Sequence, residues 1–187
     1  IVTRHRIREE LRGVLLLIGV IWAVFVVGLV LPQDINAWGL YPRSLRGIVG
    51  IVLSPFLHSD LTHLLGNTIP LFVLLVLLAG SRANSWAIVG SIVLLGGCLL
   101  WLFGRPMIHV GASGLIYGLI AFLVVSGLIE RRPVPLAIAV LVGFLYGGTF
   151  FSGILPSLGS QVSWDGHLLG GIAGGLVASV LTSRNPW

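Results

Sequence analysis

The charged residues of this 187-residue chain are so sparse that they divide it into uncharged runs of nearly constant length. Between Arg12 and Asp34 lie 21 uncharged residues, between Asp60 and Arg82 another 21, and between Arg82 and Arg105 a further 22. Arg105 to Glu130 encloses 24, Arg132 to Asp165 encloses 32, and Asp165 to Arg184 encloses 18. About 20 apolar residues cross the hydrocarbon core of a bilayer as a helix. The 32-residue run is then one helix at 134–150 followed by an uncharged loop at 151–163. Backbone groups in lipid must be satisfied internally, which favours helices, and the strand-period alternation of a barrel is absent. The expected fold is an all-α membrane protein of six transmembrane helices, near 13–31, 61–80, 85–104, 112–129, 134–150 and 166–182. They form one domain over 13–183, between an N-terminal segment at 1–12 and a tail at 184–187.

Composition supports this reading. Hydrophobic residues make up 56 % of the chain and charged residues 9 %. A soluble domain carries about a quarter charged residues, so this chain has too little charge to coat a water-facing surface. That excludes an ordinary soluble protein and a disordered chain. Nucleic acid is excluded as a partner too, because the basic residues form no continuous stripe. All eleven are Arg, and their placement reads as topology signalling. With the N-terminus inside, Arg4, Arg6, Arg8, Arg12, Arg82, Arg131, Arg132 and Arg184 are cytoplasmic, against Arg43, Arg46 and Arg105 outside. That bias predicts both termini inside. The first apolar run lacks an A-x-A-like cleavage site and is expected to remain as a span. The lone Cys98 can form no intrachain disulfide and is read as a small buried hydrophobe.

The long connection 32–60 breaks the pattern. It carries Pro32, Pro42 and Pro55, and its apolar stretch 47–57 is too short to span. An interfacial or re-entrant element fits it.

The inferred direction of the helices gathers the unusual polar residues. The second, fourth and sixth spans run inward, so their N-terminal ends share the outer face. His63 and Asn67 start the second span, Ser113 the fourth and His167 the sixth. Polar groups at such depth are expensive unless paired or solvated. Ser113 lies in Gly111-Ala112-Ser113-Gly114, followed by Tyr117 and Gly118. A serine at a helix N-terminus sits beside free N–H groups that suit an oxyanion, although such short motifs usually serve packing alone. His167 sits on a face of small residues, Gly166, Gly170 and Gly174, built for close helix contact. His58, His63 and Asn67 form H-x4-H-x3-N, with His63 and Asn67 on one helix face. Both can donate hydrogen bonds. A metal site is the weaker alternative, since no carboxylate lies within the spans and the spacing matches no zinc signature. His5 and His109 are read as loop or surface residues.

These motifs, in this order on a six-helix background, resemble the rhomboid family of intramembrane serine proteases. The resemblance covers nearly the whole chain. It implies Ser113 as nucleophile and His167 as general base, a dyad with no third acid. It implies an oxyanion hole from the Ser113 backbone N–H, His63 and Asn67. Tyr117 would pack on the His167 ring, Gly170 would admit close helix approach with Gly111 and Gly114 in support, and His58 would be structural. The connection 32–60 resembles the family's first loop, although many bacterial members have a Trp-Arg pair where this chain has Tyr41-Pro42-Arg43. The helix at 134–150 and the loop at 151–163 would be the mobile side, where a substrate helix docks. The implied activity is cleavage of single-span membrane proteins without a cofactor, at the extracytoplasmic side of a plasma membrane. Two alternatives are a rhomboid-like pseudoprotease that binds membrane proteins without cutting them and a small transporter. Family pseudoproteases typically lack the Ser or the His, and both are present here. A transporter would show two related halves with interrupted helices, and no internal repeat is evident.

Overall fold

The computed structural model describes residues 4–82, 84–156 and 163–183, with the side chains of residues 4–6 and 183 outside that description. All regular elements among them are helical. They are α1 (Arg4–Val30), α2 (Leu45–Leu53), α3 (Leu61–Ser81), α4 (Ser85–Phe103), α5 (Ser113–Glu130), α6 (Pro133–Ile154) and α7 (Trp164–Ser183), with short 3-10 turns at Ile35–Trp38 and Ser54–Phe56. Five helical segments are long and apolar enough to cross a membrane: Ile7–Val30, Leu61–Ser81, Ser85–Phe103, Ser113–Glu130 and Pro133–Ile154. α7 is not among them. It has the length, but Asp165, His167 and five glycines dilute its apolar content.

Several boundaries differ from the sequence reading. The first helix is already formed at Arg4, well before 13, because the Arg and Glu residues before the apolar run are themselves good helix formers. The connection 32–60 contains α2, whose nine residues are capped by the Ser44 hydroxyl accepting from the Gly47 N–H. The helix expected at 134–150 continues to Ile154. The loop assigned to 151–163 is therefore shorter, and its residues 157–162 lie outside the described residues, as does the tail 184–187. Cys98 is exposed on α4 rather than buried. In an apolar solvent a small hydrophobe gains nothing by turning inward.

α5 occupies the centre. Its residues from Leu115 to Ile120 are buried on every face, as befits a helix that is hydrophobic all round. It packs on α7 most extensively, then on α6, α3 and α4. The α5–α7 contact is a backbone seam. A Cβ on Gly170 would overlap the Gly114 carbonyl, and one on Gly174 would overlap the Gly118 carbonyl. Only glycine fits at these points, and the seam sets α7 one helix-backbone away from α5. At one end of the bundle Arg82 pairs with Glu130 and Ser85 donates to Glu10, joining α3 to α5 and α4 to α1. The opposite end carries the N-termini of α3, α5 and α7.

The seam makes a direct prediction. Gly174→Ala forces a methyl into a backbone carbonyl and should destabilise the fold by about 2 kcal/mol or more. Gly175→Ala, whose methyl would meet nothing within 4 Å, should be neutral or stabilising by up to ~1 kcal/mol. Thermal unfolding of the two variants in detergent compares them.

Candidate active site

Ser113 is the first residue of α5, and the turn before it is unusual. Gly111 has φ +108, a conformation that side-chain-bearing residues rarely adopt. Its N–H donates to the Ser54 carbonyl at 2.9 Å, pinning the turn to the first loop. α5 has no side-chain cap, with Ala112 at the capping position. The N–H groups of its first turn therefore keep no intrahelical partner and point at the space around Ser113. By contrast, the Asp60 carboxylate caps α3.

The H-x4-H-x3-N residues close over this turn from α3. A Cβ on Gly111 would lie 2.5 Å from His63 Nε2 and 3.2 Å from Asn67 Nδ2. Both side chains thus reach the backbone two residues before Ser113. Asn67 Nδ2 also lies 3.0 Å from His58 Nε2. An amide nitrogen only donates, so His58 Nε2 accepts and the His58 ring is neutral. Burial, with His63 beside it, pulls the His58 pKa down to about 4. His58 and His63 meet edge to face at 5.0 Å.

His167 lies in the first turn of α7. Its Nδ1 is 2.9 Å from the Gly153 carbonyl. A carbonyl only accepts, so Nδ1 carries a proton and Nε2 of the neutral ring keeps its lone pair. The ring stacks on Tyr117 at 4.1 Å and 4°, and Phe150 also stacks on Tyr117 at 5.4 Å. The Tyr117 hydroxyl donates to the Thr149 carbonyl at 2.9 Å. α6 thus orients both rings through backbone carbonyls near its end. Gly153 is needed there because a Cβ would overlap the Tyr117 hydroxyl. Among the described residues Ser113 Oγ makes no hydrogen bond, and the His167 ring bonds to Gly153. An open cleft reaches Ser113 and is lined by Ser54, Gly97, His109, Gly111 and Ser163 among others.

His109 corrects the sequence reading. It lies in a loop, but it is buried, with 3 % of its surface exposed. Its backbone pairs with Leu40 of the first loop through two hydrogen bonds of 2.8 and 3.0 Å. Its Nδ1 lies 2.7 Å from Ser163 Oγ and its Nε2 3.1 Å from the Arg105 carbonyl, and burial lowers its pKa. Asp165 accepts from the Arg105 backbone and guanidinium at 2.8 and 3.0 Å. This cluster anchors the start of α7. The side chain of His5 lies outside the described residues. Sequence reasoning missed Thr149, Gly153, Ser163 and Asp165. The small-residue cluster near the end of α6 was the one available signal for Gly153.

A family model described as Rhomboid domain matches residues 46–185. An uncharacterised protein of Mycobacterium tuberculosis is 42 % identical over 160 residues, covering 80 % of this chain and 65 % of the relative. One of Mycobacterium bovis matches equally. An uncharacterised protein of Mycobacterium leprae is 36 % identical over 193 residues, covering 97 % of this chain and 76 % of the relative. The chain thus spans 65 % of the length of the first two relatives.

The His58 environment has a consequence for stability. The unfolded chain takes up this proton near pH 6.5, the folded chain only near 4. Between those values the unfolded state binds more protons. The stability tied to neutral His58 is complete above pH 6.5 and is lost as pH falls toward 4. Going from about pH 7 to about pH 4.5 should cost about 2–3 kcal/mol through this residue. Unfolding measured at both pH values should show a smaller loss in His58→Gln.

Proposed function

Because the chain belongs to the rhomboid family and is a multi-pass helical membrane protein, we propose that it is an intramembrane serine endopeptidase acting through Ser113 and His167. The observation that carries this is the pinned His167 tautomer. Its Nδ1 proton is committed to the Gly153 carbonyl, which leaves Nε2 as the acceptor a general base needs. Tyr117 fixes the ring plane, and the glycine seam holds α7 against the helix that begins with Ser113.

In this mechanism Nε2 of His167 takes the Ser113 hydroxyl proton as Oγ attacks the scissile carbonyl. The tetrahedral oxyanion is met by the uncapped N–H of Ser113, with His63 and Asn67 beside it. His167 returns the proton to the leaving amine, an acyl-enzyme remains, and water releases it. No carboxylate orients His167; a backbone carbonyl does so instead. The free enzyme need not hold a short Ser113–His167 bond, since catalytic hydrogen bonds often tighten only once substrate is bound.

α7 counts as the sixth span, and both termini are cytoplasmic by the arginine bias. The N-termini of α3, α5 and α7 then face the extracytoplasmic side of a plasma membrane. The substrate is a single-span membrane protein whose helix opens at the cut, and it approaches from the α6 side. Gly111, Gly114 and Gly170 keep the site narrow, and His58 holds Asn67 in place. The chain needs no cofactor or metal for this chemistry.

A serine-directed fluorophosphonate should label the wild-type chain and not Ser113→Ala, and His167→Ala should label far more slowly. Labelling that persisted in Ser113→Ala would remove Ser113 as nucleophile. A chain that captured a membrane protein without Ser113-dependent labelling or cleavage would be a pseudoprotease. Asn67→Ala should lower turnover of a model transmembrane substrate by about 2–4 kcal/mol at most. Unchanged turnover would take Asn67 out of the oxyanion hole.

A further inference from the structure

His63, which the proposed mechanism uses as an oxyanion donor, is wired to a carboxylate. Asp60 Oδ1 accepts from the His63 backbone N–H at 2.8 Å, and Oδ2 accepts from the Ser59 hydroxyl at 2.8 Å. Ser59 Oγ in turn lies 3.2 Å from His63 Nδ1. A hydroxyl has one proton. With that proton committed to the carboxylate, Ser59 Oγ meets Nδ1 only as an acceptor, so Nδ1 carries a proton. The nitrogen toward Gly111, and so toward the oxyanion position, is Nε2. In a neutral ring protonated at Nδ1, Nε2 is a lone pair and would repel an oxyanion. Only the imidazolium presents N–H groups at both nitrogens.

His167 has the opposite requirement. Its Nδ1 donates to Gly153, so its Nε2 must be bare to accept the Ser113 proton. Both rings sit beside the start of α5, His63 against Gly111 and His167 against Tyr117, and imidazoles that border one site titrate as a pair. The working state therefore holds one extra proton, on His63 and not on His167. Two carboxylates border the site. Asp165, near His167, is neutralised by Arg105 and also faces His109 at 3.8 Å. Asp60 has no arginine within salt-bridge distance among the described residues. His58, the remaining ring beside His63, is held neutral by Asn67. The uncompensated negative charge is thus on the His63 side.

We propose that Asp60, acting through Ser59, is a positioning residue that keeps the site's proton on His63, making His63 a cationic oxyanion donor and leaving His167 free as the base. This rests on the reading of Ser113 and His167 as the catalytic pair. Turnover should follow a bell-shaped pH profile. The acid limb reports protonation of His167, and the alkaline limb reports loss of the His63 proton.

The test uses the full chain in proteoliposomes, with kcat for a model transmembrane substrate measured across pH. Asp60→Asn and Asp60→Ser keep a good helix N-cap but remove the charge, and Ser59→Ala removes the bridge. In each variant the alkaline limb should move about one unit to lower pH, a roughly tenfold loss of kcat on that side with the acid limb unmoved. If Asp60 only caps α3, Asp60→Asn leaves the profile where it was, and the proposal is overturned. A substrate-free readout separates this idea from the enzyme reading. In micelles, a nitrogen-15 NMR titration of the histidine rings should find His63 gaining its second proton at a higher pH than His167, with the His63 midpoint moved to lower pH in Asp60→Asn. A wild-type His63 that gains its second proton no earlier than His167 as pH falls, or whose midpoint is unmoved in Asp60→Asn, contradicts the proposal whether or not the chain cleaves anything. Absence of Ser113-dependent cleavage contradicts the enzyme reading alone.

Discussion

The seam between α5 and α7 is the contact on which the rest of the site depends. In lipid no hydrophobic driving force brings helices together, so close packing must come from small residues that let backbones touch. The Gly114 and Gly118 carbonyls on α5 press on Gly170 and Gly174 of α7, which leaves no room for a side chain at those two α7 positions. That contact sets the distance between the helix that begins with Ser113 and the helix that carries His167. Tyr117, between Gly114 and Gly118, then lies flat against the His167 ring.

The polar groups obey a second constraint, which is that buried polar atoms need partners. The site meets it largely with backbone carbonyls and amides. Gly153 holds His167, Thr149 holds Tyr117, Arg105 holds His109, and Ser54 holds the Gly111 turn. Neutral partners avoid burying further charge at membrane depth, where it is expensive. The two carboxylates near the site sit at the helix ends, Asp60 as a cap and Asp165 clamped by Arg105.

Much of the architecture was readable because charge is so rare. The charged residues lie near the helix ends, and Asp60, Arg82 and Glu130 fall within a residue of an observed boundary. The family motifs also pointed to the residues that meet at the α3, α5 and α7 N-termini. The orienting groups were not readable. Gly153 and Thr149 act through their carbonyls, so their side chains give no sign of the role. His109 reads as a loop or surface residue; it does lie in a loop, and its burial was hidden because it goes with a pairing to Leu40, far away in sequence. In the sequence Asp60 only bounds an uncharged run, and its link through Ser59 to the His63 ring emerges only from three-dimensional geometry. The extension of α6 to Ile154 was hidden by uncharged residues that suit either a loop or a lipid-facing helix end.

The central claim is that Ser113 attacks a peptide bond and carries the acyl group. Acid-quenching the wild-type chain during cleavage of a transmembrane substrate, followed by peptide mapping by mass spectrometry, tests it most directly. The account predicts an ester joining the N-terminal substrate fragment to Ser113, sensitive to hydroxylamine. Cleavage with no ester on Ser113, or with the fragment bound to another residue, would contradict it.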